Sequence, residues 1–180
     1  MEAAIDLMAS KGTRGVSVSQ VCKAAGVSRD TYYRCFPDKD ALVSQLYQTA
    51  INDHIEAVLG GWDLDYSDKN WLHRVFDQTI DAILEQHKVA QLLYLESTDP
   101  DSPAYQAIRR AYEKAAQRIR RWCKENHGEQ PSQEYVMALL AATQWLVQDA
   151  ILKGMTPSAI SKAKQAAEQL FYSALARPPG

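Results

Sequence analysis

The sequence predicts an all-α fold, with a small three-helix module at the N-terminus and a larger helical body after it. Two observations carry this expectation. Apolar residues recur at intervals of three and four along nearly the whole chain, and no segment sustains the alternation of a strand. The charge is also divided: residues 11–39 hold six basic side chains (Lys11, Arg14, Lys23, Arg29, Arg34, Lys39) against two acidic ones (Asp30, Asp38), a local charge of +4 in a chain of net charge −2, so the remainder carries −6. A basic module on an acidic body is the pattern of a nucleic-acid reader joined to a part with another task.

The 180 residues, 46% hydrophobic and 23% charged, can bury a sizeable core and are too polar for a membrane bundle. No apolar run approaches the ~18 residues of a bilayer span. The start MEAAIDLMASKG has acids and an early glycine where a signal peptide would be apolar, so a cytoplasmic location and no membrane partner are expected. Cys22, Cys35 and Cys123 form no C-x-x-C pair, which fits a reducing compartment. The histidines His54, His73, His87 and His127 form no H-x-x-x-H pair, so neither a metal nor a cofactor is expected. No G-x-S-x-G, Gly-rich phosphate loop or H-E-x-x-H is present, and no strand is there to carry a nucleotide site. An enzyme is therefore not expected and no catalytic residue is assigned.

The first helix, to about Lys11, turns Ala4, Ile5 and Met8 inward and ends at Gly12, which suits a left-handed cap. Ser17 and Gln20 are spaced as a capping box and open a second helix with Val18, Val21 and Ala25 inward, ended by Gly26. Ser28 caps the third, which Pro37 terminates because the residue before a proline is pushed out of helical geometry. Asp38 opens a long helix with the stripe Val43, Leu46, Tyr47, Ala50, Ile51, Ile55 and Val58, running to Gly60 and Gly61. Further helices are expected over 68–86, 88–97, 103–126, 132–153 and 157–176, separated by DPDSP, NHGEQPS and KGMTPS, with a frayed RPPG tail.

Two short helices joined by a glycine turn have the helix-turn-helix shape, whose second helix enters the major groove. On the helix from Ser28 to Phe36, the pair Tyr32 and Phe36 shares one face and Arg29 and Tyr33 another. With Tyr32 and Phe36 in the core, Arg29 and Tyr33 project outward beside Thr31, with Arg34 on the flank. These side chains suit phosphate oxygens and base edges. Asp30 is four residues before Arg34, the favourable order for an intrahelical ion pair, and that pairing is expected ahead of a hydrogen bond from a cytosine amino group to Asp30.

The stretch from Ala3 to about Leu46, with AAIDLMASKG, SVSQVCKAAGVS, TYYRCF and PDKDAL, resembles the DNA-binding domain of the TetR family of bacterial transcriptional regulators. The resemblance implies a helix-turn-helix DNA-binding domain over 1–46 and a helical ligand-binding and dimerisation domain over 47–180. It also implies DNA contacts at Ser17, Ser28, Arg29, Thr31, Tyr33 and Lys39, to which the residue reading adds Asp30 and Arg34. Three positions depart from the family pattern: Thr13 where an aromatic often packs, Asp30 where a small residue is usual, and Cys35 where a histidine or tyrosine often meets phosphate. The basic N-terminal lead of many relatives has no counterpart in the numbered chain.

In the body, helix 132–153 presents Val136, Leu139, Leu140, Thr143, Leu146 and Val147, and helix 157–176 presents Ile160, Ala163, Ala167, Leu170, Phe171 and Ala174. Such stripes either bury themselves within the chain or meet their copies in a four-helix bundle, and the resemblance favours the second. Tyr94, Tyr112 and Trp145 are candidate ligand contacts because they lie near the middles of helices that the family arranges around its pocket. The basic run RRAYEKAAQRIRRW is expected to be the solvated face of an amphipathic helix. The function implied is a homodimeric regulator, of the repressor kind, released from a palindromic double-stranded DNA operator by a small-molecule effector. The alternative is a helix-turn-helix regulator whose C-terminal domain receives a protein partner or senses thiol oxidation through Cys35 or Cys123. Repression or activation depends on where the operator lies relative to a promoter.

Overall fold

A computed structural model describes residues 1–60, 62, 65–96 and 99–175, with the backbone alone at 50, 51 and 103. Its regular elements are α1 (Glu2–Lys11), α2 (Val18–Ala25), α3 (Arg29–Cys35), α4 (Lys39–Leu46), α5 (Asn52–Gly60), α6 (Trp71–Glu85), α7 (His87–Glu96), α8 (Pro103–His127), α9 (Gln133–Leu152) and α10 (Pro157–Leu175). No strand occurs among the described residues. The expected helix ends at Gly61, Ser97 and Ala176, the RPPG tail, and the side chains of Ala50 and Ile51 lie outside the described residues.

The start signals act as their chemistry predicts. Ser17 accepts from the Gln20 N–H while the Gln20 side chain accepts from the Ser17 N–H, closing the capping box of α2. Ser28 caps α3 by accepting from the Thr31 N–H, and Asp38 caps α4 by accepting from the Ala41 N–H. Gly26 is left-handed (φ 66°, ψ 28°) and makes the turn between α2 and α3. Gly12 instead takes φ 69° and ψ 166°, a region open essentially only to glycine, so it redirects the chain without forming the expected left-handed cap. The expected long helix from Asp38 to Gly60 is interrupted: residues Tyr47–Ile51 widen into a π-helical turn between α4 and α5. Ala25 is exposed, and Cys22 takes the inward place expected for it.

Compactness divides the chain into residues 1–55 with 86–108, and residues 56–85 with 109–180. The first unit therefore contains the motif segment together with α7, which packs on α1. Its core joins Ala4, Met8, Val16, Val21, Tyr32, Leu42, Leu46, Tyr47, Leu92 and Ala104. Ile5, Val18 and Phe36 are partly buried against it, so Tyr32 and Phe36 turn inward as their spacing requires.

In the second unit α10 packs on α9 and α6. Ile80, Val147 and Ala167 form one interior cluster, and Phe76 meets Phe171 with ring centroids 4.0 Å apart. This packing takes up much of the expected dimer stripe. Val136, Leu139, Leu140, Thr143 and Val147 of α9, with Ala163, Ala167 and Phe171 of α10, are buried inside the single chain. Leu146, Ile160, Leu170 and Ala174 are half-buried. The apolar face that α9 leaves open carries Tyr135, Trp145 and Leu152. By length and composition alone α9 is long and apolar enough to cross a membrane, although no unbroken apolar run in it is. Its stripe packs on α6 and α10, as a core helix does.

The expected solvated face of α8 is partly engaged. Arg109 pairs with Glu113 at 3.1 Å, while Arg118 lies 5.7 Å from the Trp62 ring centre and Arg121 5.7 Å from that of Tyr66. Arg118 also donates to the Leu59 carbonyl at 2.6 Å, satisfying one of the open acceptors at the end of α5.

Candidate nucleic-acid interface

The face of α3 opposite Tyr32 is built from short-range hydrogen bonds. Tyr32 is pinned from below: it is 4% exposed and its hydroxyl donates to the Asp38 carbonyl at 3.2 Å. Its neighbour Tyr33 is 52% exposed and meets the Tyr32 ring edge-on at 5.4 Å, which orients a large side chain that nothing covers. Arg29, Asp30 and Arg34 are exposed and Thr31 is half-buried. The Ser28 hydroxyl is 3.0 Å from Thr31 Oγ1, and Arg34 donates to the same threonine oxygen at 3.3 Å. The expected Asp30–Arg34 pair is therefore not made: Arg34 turns to Thr31, and Asp30 is left on the open face. Arg29 donates to Ser19 on α2, a tie that fixes its guanidinium across the turn.

Ser17 sits at the exposed start of α2, but its hydroxyl donates to Gln20 Oε1 at 3.0 Å and accepts from the Gln20 N–H at 3.3 Å. It can donate to a phosphate only after releasing Gln20. Lys39, at the start of α4, donates to the Thr13 carbonyl at 3.2 Å. The structure thus brings Ser28, Arg29, Thr31, Tyr33 and Arg34 onto one short helix, with Ser17 and Lys39 at the starts of its two neighbours in sequence.

The departure at Thr13 has a partner that the sequence did not reveal. Glu96, at the end of α7, accepts from the Thr13 N–H at 2.8 Å and from the Thr13 hydroxyl at 3.0 Å through one carboxylate oxygen. Its other oxygen accepts from Ser102 at 3.3 Å. A side chain on Gly12 would bring its Cβ to 3.3 Å from the same carboxylate, so this loop is shaped to admit Glu96. Arg14 adds an ion pair to Asp99. A threonine supplies the hydroxyl that an aromatic ring at this place would lack. Tyr47 borders the cluster with a buried hydroxyl, and burial pushes its phenol up to about 12 against a smaller lowering effect from Ser102.

The candidate ligand residues separate. Tyr94 is half-buried on α7 of the first unit. Tyr112 belongs to the second unit, where its hydroxyl donates to Gln144 of α9 and burial drives its phenol well above the usual range. Trp145 is 58% exposed and lines no interior space. The other tryptophans are core: Trp62, Trp71 and Trp122 are at most 5% exposed and pack as a cluster. Of the thiols, Cys35 is exposed, whereas Cys123 is buried and pushed up to about 11, which removes it as an oxidation sensor.

A capped helix, a glycine turn and a second helix that presents arginine, tyrosine and threonine have the form of a helix-turn-helix DNA-binding segment. Residues 1–46 match the sequence model of the tetR family of bacterial regulatory proteins. The uncharacterized HTH-type transcriptional regulator YvdT of Bacillus subtilis is 28% identical over 88 residues, 49% of this chain and 45% of that protein. The match thus spans under half the length of this relative. Two solved structures share the fold: the fatty acid degradation regulator FadR of Bacillus halodurans (TM-score 0.70, 18% identity, 94% of each chain) and the TetR-family regulator PfmR of Thermus thermophilus (TM-score 0.67, 19% identity, 94% of each chain). Residues 1–46 therefore carry a DNA-binding segment of the tetR type, and the chain as a whole shares the fold of these two regulators.

Proposed function

We propose that the protein is a homodimeric repressor that reads a palindromic operator with α3 and leaves it when a small molecule occupies the larger helical domain. The observation that carries the reading is the open face of α3, where Tyr33 stands 52% exposed beside Arg29, Thr31 and Arg34. The edge contact with Tyr32 leaves half of this aromatic in water between arginines, and duplex DNA offers phosphates for the guanidinium groups and base edges for the hydroxyls. Ser17, Ser28 and Lys39 flank this face as backbone contacts. Two such helices about 34–36 Å apart in a dimer would meet successive major grooves.

The effector acts by differential affinity. A ligand that prefers the non-binding conformation roughly 10⁴-fold converts a mostly bound population to a mostly free one. Within the second unit, the Tyr112 hydroxyl and Gln144 form a polar pair between α8 and α9, the kind of oriented group on which a largely apolar ligand is positioned. The π-helical turn at Tyr47–Ile51 gives the α4–α5 path a place to change direction.

The test is selection from random duplex DNA at fixed moderate salt, repeated with Arg29→Ala and Tyr33→Phe. A palindrome bound less tightly by both variants is the expected result. Failure to enrich any sequence, or enrichment unaffected by both substitutions, would remove α3 as the reading helix. A candidate effector that bound free and operator-bound protein equally well would refute release.

A further inference from the structure

We propose that Trp145 of each chain docks into a groove of its partner between α9 and α10, so that the dimer interface is a reciprocal pair of indole knobs in alanine-lined holes. This rests on the homodimer reading and specifies its contact. Of the chain's 4 tryptophans, Trp145 is the exposed one at 58%, and Tyr135 (46%) and Leu152 (69%) extend the same open apolar face of α9. Their spacing of ten and then seven residues keeps them on one side of the helix. These three side chains leave roughly 300–400 Å² in water, approaching half of the ~800 Å² that each partner contributes to a standard interface. A patch of roughly 300–400 Å² is the size of the largest on an ordinary monomer, and such patches are often functional.

The groove lies beside this face. It has a volume of about 370 Å³; Leu146, Ala159, Ala163 and Ala166 form its apolar wall, and Asp149, Lys153, Thr156, Ser158 and Lys162 its polar rim. Such a volume is at the lower end of small-molecule pockets and is ample for an indole. Alanines leave room that a large facing side chain fills, the large-against-small alternation of a packed bundle. Asp149, one helical turn after Trp145, connects the two features, because it lies in the groove wall and on the tryptophan's side of α9. A two-fold axis through the boundary between a knob and an adjacent hole exchanges them, which is the condition for an isologous interface. Asp149 already holds Lys153 at 2.5 Å through one carboxylate oxygen, and the carboxylate offers an acceptor for an entering indole N–H.

The placement explains why the stripe first expected for dimerisation is interior. Of that stripe Leu146 and Ala163 reach the groove wall, while Val136, Leu139, Leu140, Thr143, Val147, Ala167 and Phe171 fill the chain's own core and leave the opposite face of α9 for a second copy.

The test combines sedimentation velocity with acrylamide quenching of tryptophan emission over one concentration series. Because Trp62, Trp71 and Trp122 are at most 5% exposed, the quenchable, red-shifted emission reports Trp145. Expected is protection of that emission where sedimentation shows dimer, and its return on dilution to monomer. Trp145→Ala should raise the dimer dissociation constant about 30-fold or more, the effect of truncating a buried interface anchor. Ala159→Trp, which fills the hole, should weaken the dimer in the same direction. Each variant's melting curve must match the parent's; should either fail to fold, the quenching of unmodified protein decides alone. A dimer whose Trp145 stays fully quenchable overturns this contact and leaves the dimer standing. A chain that sediments as monomer throughout overturns the dimer itself.

Discussion

Removing the Glu96 carboxylate tests whether the loop before α2 is held by α7. Glu96→Ala deletes the acceptor for both the Thr13 N–H and the Thr13 hydroxyl, and also the partner of Ser102. Thr13 is only 9% exposed, so its N–H does not simply turn to water. A hydrogen bond to a charged acceptor contributes about 1.5–3 kcal/mol, and bonds sharing one carboxylate are not additive, so the loss should be roughly 2–4 kcal/mol. For a chain of this size that corresponds to a fall of roughly 5–15 °C in Tm. Glu96→Gln keeps an oxygen acceptor without the charge and should lose about half as much. Thermal melts followed by circular dichroism measure both. A Glu96→Ala protein that melts within ~2 °C of the parent would refute the assignment. Operator affinity should fall with Glu96→Ala as well, because the Thr13 carbonyl is the acceptor that positions Lys39.

Three further outcomes follow from the same geometry. Asp30, unpaired with Arg34 and exposed, is placed to accept from a cytosine amino group, so Asp30→Ala should relax one base preference per half-site by ~1–3 kcal/mol in a selection experiment. An unchanged site would leave Asp30 outside the base contacts. Burial lowers the His54 pKa below its usual 6.5, against a smaller raising effect from its hydrogen bond to Gln86. The unfolded chain then binds more protons than the folded one, so this contribution to stability is intact above about pH 6.5 and is lost as pH falls toward the lowered value. His54→Gln should flatten the dependence of Tm on pH between 7.5 and 5.5; an identical slope would contradict the burial argument. Finally, with Cys22 and Cys123 buried and Cys35 exposed, native protein should show one fast thiol per chain toward an aromatic disulfide reagent, absent in Cys35→Ser.

Local features were legible in the sequence because their causes are local. A serine three residues before a glutamine, or an aspartate before KDAL, fixes a helix start through bonds to its own backbone, and these caps occur where the spacing places them. The inward turn of Tyr32 followed from helical periodicity in the same way. Features set by distant segments were not legible. Glu96 meets Thr13 across a separation of 83 residues, and nothing around either position signals the other. The stripe on α9 was visible, but periodicity gives a face without naming what covers it. α6 and α10 cover that face, which leaves the opposite side of α9 for the proposed partner. The exposure of Trp145 has the same origin: a mid-helix tryptophan looks identical in sequence whether it lines a cavity or faces water. Asp30 and Arg34 show a subtler limit, since their spacing permits an ion pair but Thr31, one turn from the same arginine, takes the guanidinium instead.

The basic charge of the N-terminal segment overstates what reaches DNA, and salt titration can measure the difference. Arg14 is paired with Asp99 within the same compact unit, so part of its charge is already compensated. Arg29 and Arg34 are tied only to the neutral hydroxyls of Ser19 and Thr31, and Lys39 only to a carbonyl; these ties orient the cations and leave their charge uncompensated. If a dimer places these three side chains of each chain on phosphates, about six counterions are released, and log K should fall against log salt with a slope of about −5. Lys39→Ala should then reduce the steepness by about two, one unit per half-site, while Arg14→Ala reduces it less. A slope that drops equally with Arg14→Ala would mean that the Asp99 pair opens on DNA and that the whole basic segment acts as one electrostatic surface. A slope unaffected by Lys39→Ala would instead leave that ammonium bound to Thr13, as an internal clamp between α4 and the loop held by Glu96.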